Sequence, residues 1–466
     1  MNYNDQFAPF AARMHAEGLP EIFIANFAYY YRQLVSGKTG LIPESQILPA
    51  NDLPDFESFP ARLKTLGEAA LAKTAVIKLN GGLGTSMGLE KAKSLLHVRD
   101  GLSFLDIIAR QAILSGVPLI LMNSFVTDRD SLEALERYPE LKTEVDRRFL
   151  QHKEPKIDAS NFTPVKWPAN PNLEWCPPGH GDIYVAMVTS GILSSLLAAG
   201  YRFVFVSNAD NLGAVLDPML LGYFAESKLP FMMEVADRTE MDKKGGHLAK
   251  RVDENSLILR ESAQCPEADL NIFQDISRHK YFNTNNLWVD LVSLRGVMLE
   301  RDNKLGLPII INQKTVDPRD KRSTTVFQLE TAMGSAIAVF QGAEAVRVPR
   351  ERFAPVKKTN ELLAIRSDVY QLSDAFHVIP SPERELGSIY IDLDERYYKF
   401  VSDLDQRFPF GAPSLLDCES LRIVGDIRFE KNIICQGSVT LVNETARQIV
   451  IPAGTRLNGT FKFNGT

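Results

Sequence analysis

An apolar run, Val76-Ile77-Lys78-Leu79, breaks off into Asn80-Gly81-Gly82-Leu83-Gly84-Thr85-Ser86-Met87-Gly88, and Lys93 follows five residues on. This stretch restricts the fold more than any other. The apolar run reads as a buried strand. Four glycines among the eight residues after Asn80 let the backbone bend and approach a ligand closely. The pattern predicts a strand, a glycine-rich loop and a lysine at the start of the next helix. Such an assembly suits an anion, above all the phosphates of a nucleotide.

The flanking sequence predicts an α/β fold. Strand-like runs at 118–122, 203–206 and 231–235 alternate with helix-like stretches at 104–115, 131–138 and 184–199. Alternation of this kind signals a mainly parallel sheet, and ligands of such sheets bind beyond the carboxyl ends of the strands. Asn80, Asn123 and Asp210 stand just past strand ends, so one mouth collects them. Residues 5–36 read as two helices broken near Gly18-Leu19-Pro20, and 61–72 as a short helix leading into the strand at 75–79. After about residue 385 the period changes. Leu421, Ile427, Ile433, Val439, Thr445, Ile451, Leu457 and Phe463 recur every six residues, and Ile423, Phe429, Cys435 and Leu441 form a second register. A hexad repeat is the signature of a parallel β-helix, whose flat side and open end suit self-association. With 466 residues to place, three units are expected: an N-terminal helical region (1–72), a catalytic domain (73–385) and a C-terminal β-helix (386–466).

A net charge of −6 argues against general binding to nucleic acid or an anionic membrane, so phosphate binding falls to local lysines and backbone amides. Cys176, Cys265, Cys418 and Cys435 show no CxxC or Cys/His metal spacing and read as reduced, buried thiols. The N-terminus has no basic-then-apolar layout, and no apolar run approaches the roughly 18 residues of a membrane span. A cytoplasmic protein is expected.

Five constellations carry the chemistry. The glycine loop fails the P-loop spacing GxxxxGK[ST]. It also fails the dinucleotide spacing, because Gly82, Gly84 and Gly88 read GxGxxxG and the next strand ends in Met122-Asn123 rather than an acid. It fits the GGxGTxxG-then-lysine loop of nucleotide-sugar pyrophosphorylases. The second is Trp175-Cys176-Pro177-Pro178-Gly179-His180-Gly181-Asp182; its histidine is either a structural donor or, held between glycines and off any packed helix face, a hydrogen-bond contact to a sugar hydroxyl or phosphate. The third, Ser207-Asn208-Ala209-Asp210-Asn211, ends a buried strand; Asp210 is either a Mg2+ ligand or the cap of the next helix. The fourth, Asn283-Thr284-Asn285-Asn286, offers paired donors and acceptors to sugar hydroxyls, or is an ordinary asparagine-rich turn. The fifth, Pro355-Val356-Lys357-Lys358, follows a helix-like stretch at 326–340; a lysine pair is either a solvated surface feature or a place where one lysine turns onto phosphate.

The order LNGGLGTSMG, KSLL, MNSF, PPGHGD, SNADNLGA, KGGHLA, FNTNNLW, FQLETAMGSAI and PVK, running from about residue 75 to 370, strongly resembles the eukaryotic-type UTP–glucose-1-phosphate uridylyltransferase (UDP-glucose pyrophosphorylase) family. The resemblance implies a GT-A-like, Rossmann-related nucleotidyltransferase domain and a C-terminal left-handed parallel β-helix. It implies that Leu79, Asn80, Gly81, Gly82, Gly84 and Thr85 surround the uridine and its phosphates. Lys93 matches the lysine that binds the UTP phosphates. Gln151 matches the glutamine that reads uracil, with Gly179 beside it. His180 falls near the phosphate of glucose 1-phosphate. Asn208 matches the sugar contact and Asp210 the Mg2+ ligand. Gly246, Glu261 and Asn285 fall where the family holds the glucose ring, and Lys357 matches a second phosphate lysine. One departure stands out. Many relatives carry Cys-Lys-Gly-Pro-Lys before Ser94; here the run is Leu89-Glu90-Lys91-Ala92-Lys93, so a lysine has shifted and Gly-Pro is lost. A less rigid loop is expected there. Ala354 and Lys358 are smaller departures.

The implied reaction joins UTP and glucose 1-phosphate reversibly, with Lys93, Lys357 and Mg2+ on Asp210 neutralising two polyanions. Other readings are a broad-specificity UDP-sugar enzyme, acting for example on galactose 1-phosphate, and an inactive scaffolding homologue. Oligomeric state stays open, with assembly through the C-terminal domain one option.

Overall fold

The computed structural model describes residues 3–141 and 143–464. Two N-terminal helices, α1 (Tyr3–Ala16) and α2 (Glu21–Val35), precede a ten-stranded central sheet. Its strands are β1 (Ile47–Pro49), β2 (Thr74–Asn80), β3 (Leu119–Asn123), β4 (Arg148–Leu150), β5 (Phe203–Asn208), β6 (Phe231–Asp237), β7 (His247–Arg251), β8 (Leu257–Arg260), β9 (Tyr281–Asp290) and β11 (Glu344–Arg347), with β10 (Thr325–Thr331) in a neighbouring sheet. The main path runs β1-β7-β9-β5-β2-β3-β4.

β5, β2, β3 and β4 form a parallel block. Beyond it β9 pairs antiparallel with both β5 and β6, and β7 pairs antiparallel with β8 and β1. The sheet is therefore mixed, not mainly parallel as its alternating elements suggest. A five-residue connection returns the chain antiparallel from β7 to β8, whereas β9 meets β5 and β6 from far along the chain, where nothing local sets its direction.

Successive residues of β2 serve opposite faces. Ala75 and Ile77 join a core under α1, α2, α6 (Ile183–Thr189) and α7 (Ile192–Ala198). Val76 joins a second core under α4 (Phe104–Ser115) and α8 (Pro218–Glu226), against which α3 (Arg62–Ala70) packs. Both cores are apolar because this strand is covered on each side.

The helix at 104–115 matches its expected bounds. Ser103 and Asp106 form a capping box, and Gly116 ends the helix in the left-handed region. The expected helix at 184–199 is instead α6 and α7, bent by 65° where Gly191 takes φ +79°. The expected helix at 131–138 starts earlier, as α5 (Asp128–Leu135). Two further expectations fail. Residues 326–340 are not a helix but β10 followed by a 3-10 turn, Met333–Ala338. Val326, Leu329, Met333, Ala336, Ile337 and Phe340 are all buried at helical spacing, yet pairing with the strand Ile309–Thr315 holds the first half extended. Lys93 does not open a helix either; it sits in a 3-10 turn, Lys93–Leu95, followed by a small hairpin before α4.

After residue 386 the strands Tyr390–Leu393, Cys418–Val424, Ile434–Asn443 and Arg456–Phe463 form a parallel sheet, and Ile427–Phe429 pairs parallel with Ile449–Ile451. Leu421 pairs with Val439, three hexads on. Both hexad registers are buried except at Thr445 and Phe463. Thr445 lies in a tight turn, where its amide and hydroxyl donate to Asn443 Oδ1. That turn lengthens the next coil, so Val439 pairs with Gly459 rather than Leu457. All four cysteines are buried free thiols. Among the described residues no single helix is long and apolar enough to cross a membrane.

Candidate functional site

β2 ends at Asn80, and the loop that follows turns on two glycines in the left-handed region, Gly84 at φ +67° and Gly88 at φ +75°, on either side of the 3-10 turn Thr85–Met87. Only glycine takes these angles without strain. The loop closes on itself: Lys93 N–H donates to Gly82 O at 3.0 Å and Leu89 N–H to Gly84 O at 3.4 Å. The departing segment at 89–92 is thus tied at both ends, and Ala92 is buried. Those anchors flank positions 91–92, where relatives carry Gly-Pro.

The loop walls a cleft of about 360 Å³ at the carboxyl ends of β2, β3 and β5. Leu79, Asn80, Gly81, Gly82, Lys93, Gln151, Gly179, His180, Asn208 and Asp210 all line it. At its floor Lys93 Nζ meets Asp210 Oδ2 at 2.6 Å, joining the glycine loop to the end of β5. Asp210 does not cap the next helix; Asp217 does, accepting from Met219 and Leu220 N–H.

Gln151 donates through Nε2 to Gly179 O at 3.0 Å, and its Oε1 lies over Gly81. Gly179 takes φ +78°, and a Cβ there would stand 2.5 Å from Thr331 O, so β10 is pressed against the turn. Next to it, His180 Nδ1 accepts from Met333 N–H at 2.9 Å. Burial lowers the imidazole pKa to about 4, so the ring is neutral and carries its proton on Nε2. The Asn80 side chain is spent on Asn123 Oδ1 and Ser131 Oγ, both at 2.8 Å, and is buried.

The remaining expected residues lie outside this cleft lining. Gly84 packs against Lys93, whose Cγ would stand 3.2 Å from a Cβ there, and Thr85 opens the 3-10 turn that follows. A Cβ on Gly246 would lie 2.5 Å from Glu261 Oε2, which brings those two together. Burial pushes the Glu261 carboxyl up, and the Lys357 ammonium opposes the shift, so Lys357 is within electrostatic reach. Asn285 sits in a β-bulge. The β6–β9 register slips between Glu234 and Val235, and Asn285 takes φ +61° with its N–H on Asn283 Oδ1. Asn283 in turn crowds Gly334, next to the residue that holds His180. Lys357 is exposed and lines a separate cavity of about 100 Å³ with Ser86, Lys358 and Lys399. Its segment is nonetheless tied to the Asp210 loop, since Val356 N–H donates to Asp210 O at 3.1 Å.

Sequence reasoning gave no binding role to Ser94, Met122 and Pro177, which also line the cleft. Ser94 was legible as the lysine's neighbour, and its buried hydroxyl has no hydrogen-bond partner among the described residues. It also passed over Lys78, buried beneath the loop and donating to Ser207 Oγ and Ala214 O at 2.7 Å each. Burial, helped by Arg352 and opposed by Glu234, lowers the Lys78 pKa to about 7.

Among the described residues no three His, Cys, Asp or Glu side chains cluster to hold a metal. A Mg2+ ion needs no such cluster when phosphates and water complete its octahedron. Asp210 fits that pattern: a cleft-lining carboxylate whose present counter-charge is a lysine.

Residues 22–436 match the family described as UTP–glucose-1-phosphate uridylyltransferase. The Solanum tuberosum enzyme of that name is 39% identical over 416 residues, covering 88% of this chain and 84% of its own. The Saccharomyces cerevisiae enzyme is 39% identical over 400 residues, 83% of this chain and 77% of its own. Among solved structures, a variant of UDP-glucose pyrophosphorylase from Leishmania major in complex with UDP-glucose superposes with TM-score 0.90 at 40% identity, covering 98% of this chain and 99% of the other. A UDP-glucose phosphorylase from Trypanosoma brucei gives TM-score 0.88 at 43% identity, covering 99% of this chain and 100% of the other.

Proposed function

The chain belongs to the UTP–glucose-1-phosphate uridylyltransferase family, and on that premise we propose that it joins UTP to glucose 1-phosphate, forming UDP-glucose and pyrophosphate. The observation that carries this reading is the Lys93–Asp210 contact at the floor of a cleft walled by the glycine loop, Gln151, Gly179 and His180.

Leu79, Asn80, Gly81, Gly82, Gly84 and Thr85 bind the nucleotide, and Gln151 and Gly179 read the uracil edge. His180, Asn208, Gly246, Glu261 and Asn285 hold the sugar phosphate. A phosphate oxygen of glucose 1-phosphate attacks the α-phosphorus of UTP. A new P–O bond forms there while the bond to the β-phosphate oxygen breaks, and its electron pair leaves with pyrophosphate. A phosphate monoester is already anionic at neutral pH, so no residue need remove a proton. The protein's work is alignment and charge neutralisation between two polyanions. Lys93 exchanges its Asp210 partner for UTP phosphate, and Lys357 meets the second phosphate. Asp210 would hold Mg2+, whose chemistry is to neutralise phosphate charge. His180, neutral with its proton on Nε2, donates to the sugar phosphate.

The same reading takes the catalytic unit (73–385) as GT-A-like and residues 386–466 as a left-handed β-helix, supported by the parallel pairing and buried hexads. Self-association through that unit belongs to the reading as well.

Pyrophosphate release from UTP and Mg2+ with a panel of sugar 1-phosphates tests it. Glucose 1-phosphate should be the preferred substrate. Equal rates with galactose 1-phosphate would make it a broad-specificity enzyme, and no release with any sugar would make it a scaffold.

A further inference from the structure

Beneath the Asp210 loop lies a largely buried ion pair between residues far apart in sequence. Glu234, on β6, is fully buried. Arg352 grips its carboxylate with both ends of the guanidinium fork, Nε to Oε2 at 2.7 Å and Nη2 to Oε1 at 2.8 Å. Asn286 Nδ2 and Trp288 Nε1 add bonds of 3.0 and 2.9 Å. Four donors therefore hold one carboxylate.

The pair reaches the site through Asn211. Arg352 Nη2 donates to Val215 O at 2.9 Å, and the Arg352 carbonyl accepts from Asn211 Nδ2 at 3.2 Å. Asn211 Oδ1 accepts from Ala354 N–H at 2.9 Å and from Gly213 N–H at 3.1 Å. Gly213 is pressed so closely on the same segment that a Cβ would stand 2.2 Å from Glu351 O. Residues 210–213 and 352–356 are thus fastened side by side. One segment presents Asp210; the other leads directly into Lys357.

Burying a carboxylate and a guanidinium is a poor way to gain stability, since apolar groups of the same shape do as well or better. A two-pronged pair does impose a single geometry. We propose that Glu234, Arg352 and Asn211 are positioning residues that fix Lys357 relative to Asp210, and so set the alignment of the two substrates' phosphates. This rests on the roles assigned above to Asp210 and Lys357.

A double-mutant cycle tests it. Glu234→Gln keeps the side-chain shape but removes the charge. It should lower kcat by about 10²-fold, the scale of a misplacement near 1 Å. UTP affinity, measured by calorimetry, should change far less than kcat, because residues 79–82, Gln151 and Gly179 lie outside the clamp and only Asp210 belongs to both. Arg352→Lys keeps the charge but loses the fork, and should behave alike. Asn211→Ala supplies a third variant if either fails to fold. In a Lys357→Ala background each loss should shrink to near unity, because the clamp acts through that lysine. Losses that simply multiply would overturn the proposal while leaving the site reading intact. Full kcat in a folded Glu234→Gln protein would do the same, as would rescue by Arg352→Lys. Near-normal turnover of Lys357→Ala would remove the site reading, and the proposal with it.

Discussion

At the scale of single residues, charge organises the cleft. Lys93 and Asp210 are partly buried and satisfy each other at 2.6 Å. A pair of this exposure contributes about 1 kcal/mol to stability, so its loss should move the melting midpoint by a few degrees at most. Its proposed share in catalysis is far larger. Lys93→Ala and Asp210→Ala should each cut turnover by about 10²–10³-fold, the cost of removing a group that stabilises developing charge. Steady-state assays beside thermal melts check this, and near-normal turnover in either folded variant would sink the assignment. His180 makes a second prediction. Its folded pKa, lowered by burial to about 4, lies below the ordinary value of 6.5. Above pH 6.5 neither state binds the proton. As pH falls from 6.5 toward 4 the unfolded chain binds a proton that the fold refuses, so stability is lost across that window. His180→Asn should lose less stability than the parent chain between pH 6.5 and 4 in urea titrations. An identical loss would show that the ring does not titrate as its burial implies.

At the scale of elements, one close helix packing depends on absent side chains. α3 and α8 meet where Gly67 and Gly222 interlock. A Cβ on Gly67 would lie 1.6 Å from Pro218 O, and one on Gly222 would lie 1.9 Å from Leu63 O. No rotamer relieves a clash with backbone, so Gly67→Ala must push the helices apart, at a cost of about 3 kcal/mol or more. Chemical denaturation should show that loss, with turnover retained by the folded fraction; unchanged stability would refute the close approach. The elements also show where sequence reading succeeds. α4 was legible to the residue because Ser103, Asp106 and Gly116 are local stop and start signals. β10 was not. Its buried residues have helical spacing because a strand and a 3-10 turn bury surfaces in different directions, and only pairing with Ile309–Thr315 decides between them. The Asn285 bulge was legible as an asparagine cluster, but its re-aimed backbone depends on the register against β6.

At the scale of the whole molecule, the C-terminal strands are continuous with the site. One core joins Met87 of the glycine loop, Leu96, Val98, Val356 and Leu362 to Ile391, Leu421, Val439 and Leu457. The Phe400 ring lies against Gly88, leaving 2.9 Å for any Cβ there. Thr359 Oγ1 donates to Tyr398 O at 2.6 Å, and Asn360 Nδ2 to Ile391 O at 3.1 Å, so the helix after Lys357 is bonded to the same unit. Removing residues 386–466 should therefore expose the underside of the glycine loop and of the Lys357 segment. The shortened chain should aggregate or lose UTP turnover; a soluble, fully active fragment would show that this shared core is dispensable.

The sequence alone determined what backbone rules and short periodicities control. Apolar runs form strands, glycines set the turns at 84 and 88, and hexads point inward over most of the C-terminal strands. Each depends on residues within a few positions of one another. The tertiary structure alone decided that β9 would run antiparallel and that Glu234 and Arg352 would pair across 118 residues. It also decided that Lys357 would lie beside the C-terminal unit rather than in the cleft wall. These outcomes come from contacts between distant segments, and such contacts leave no local period to read.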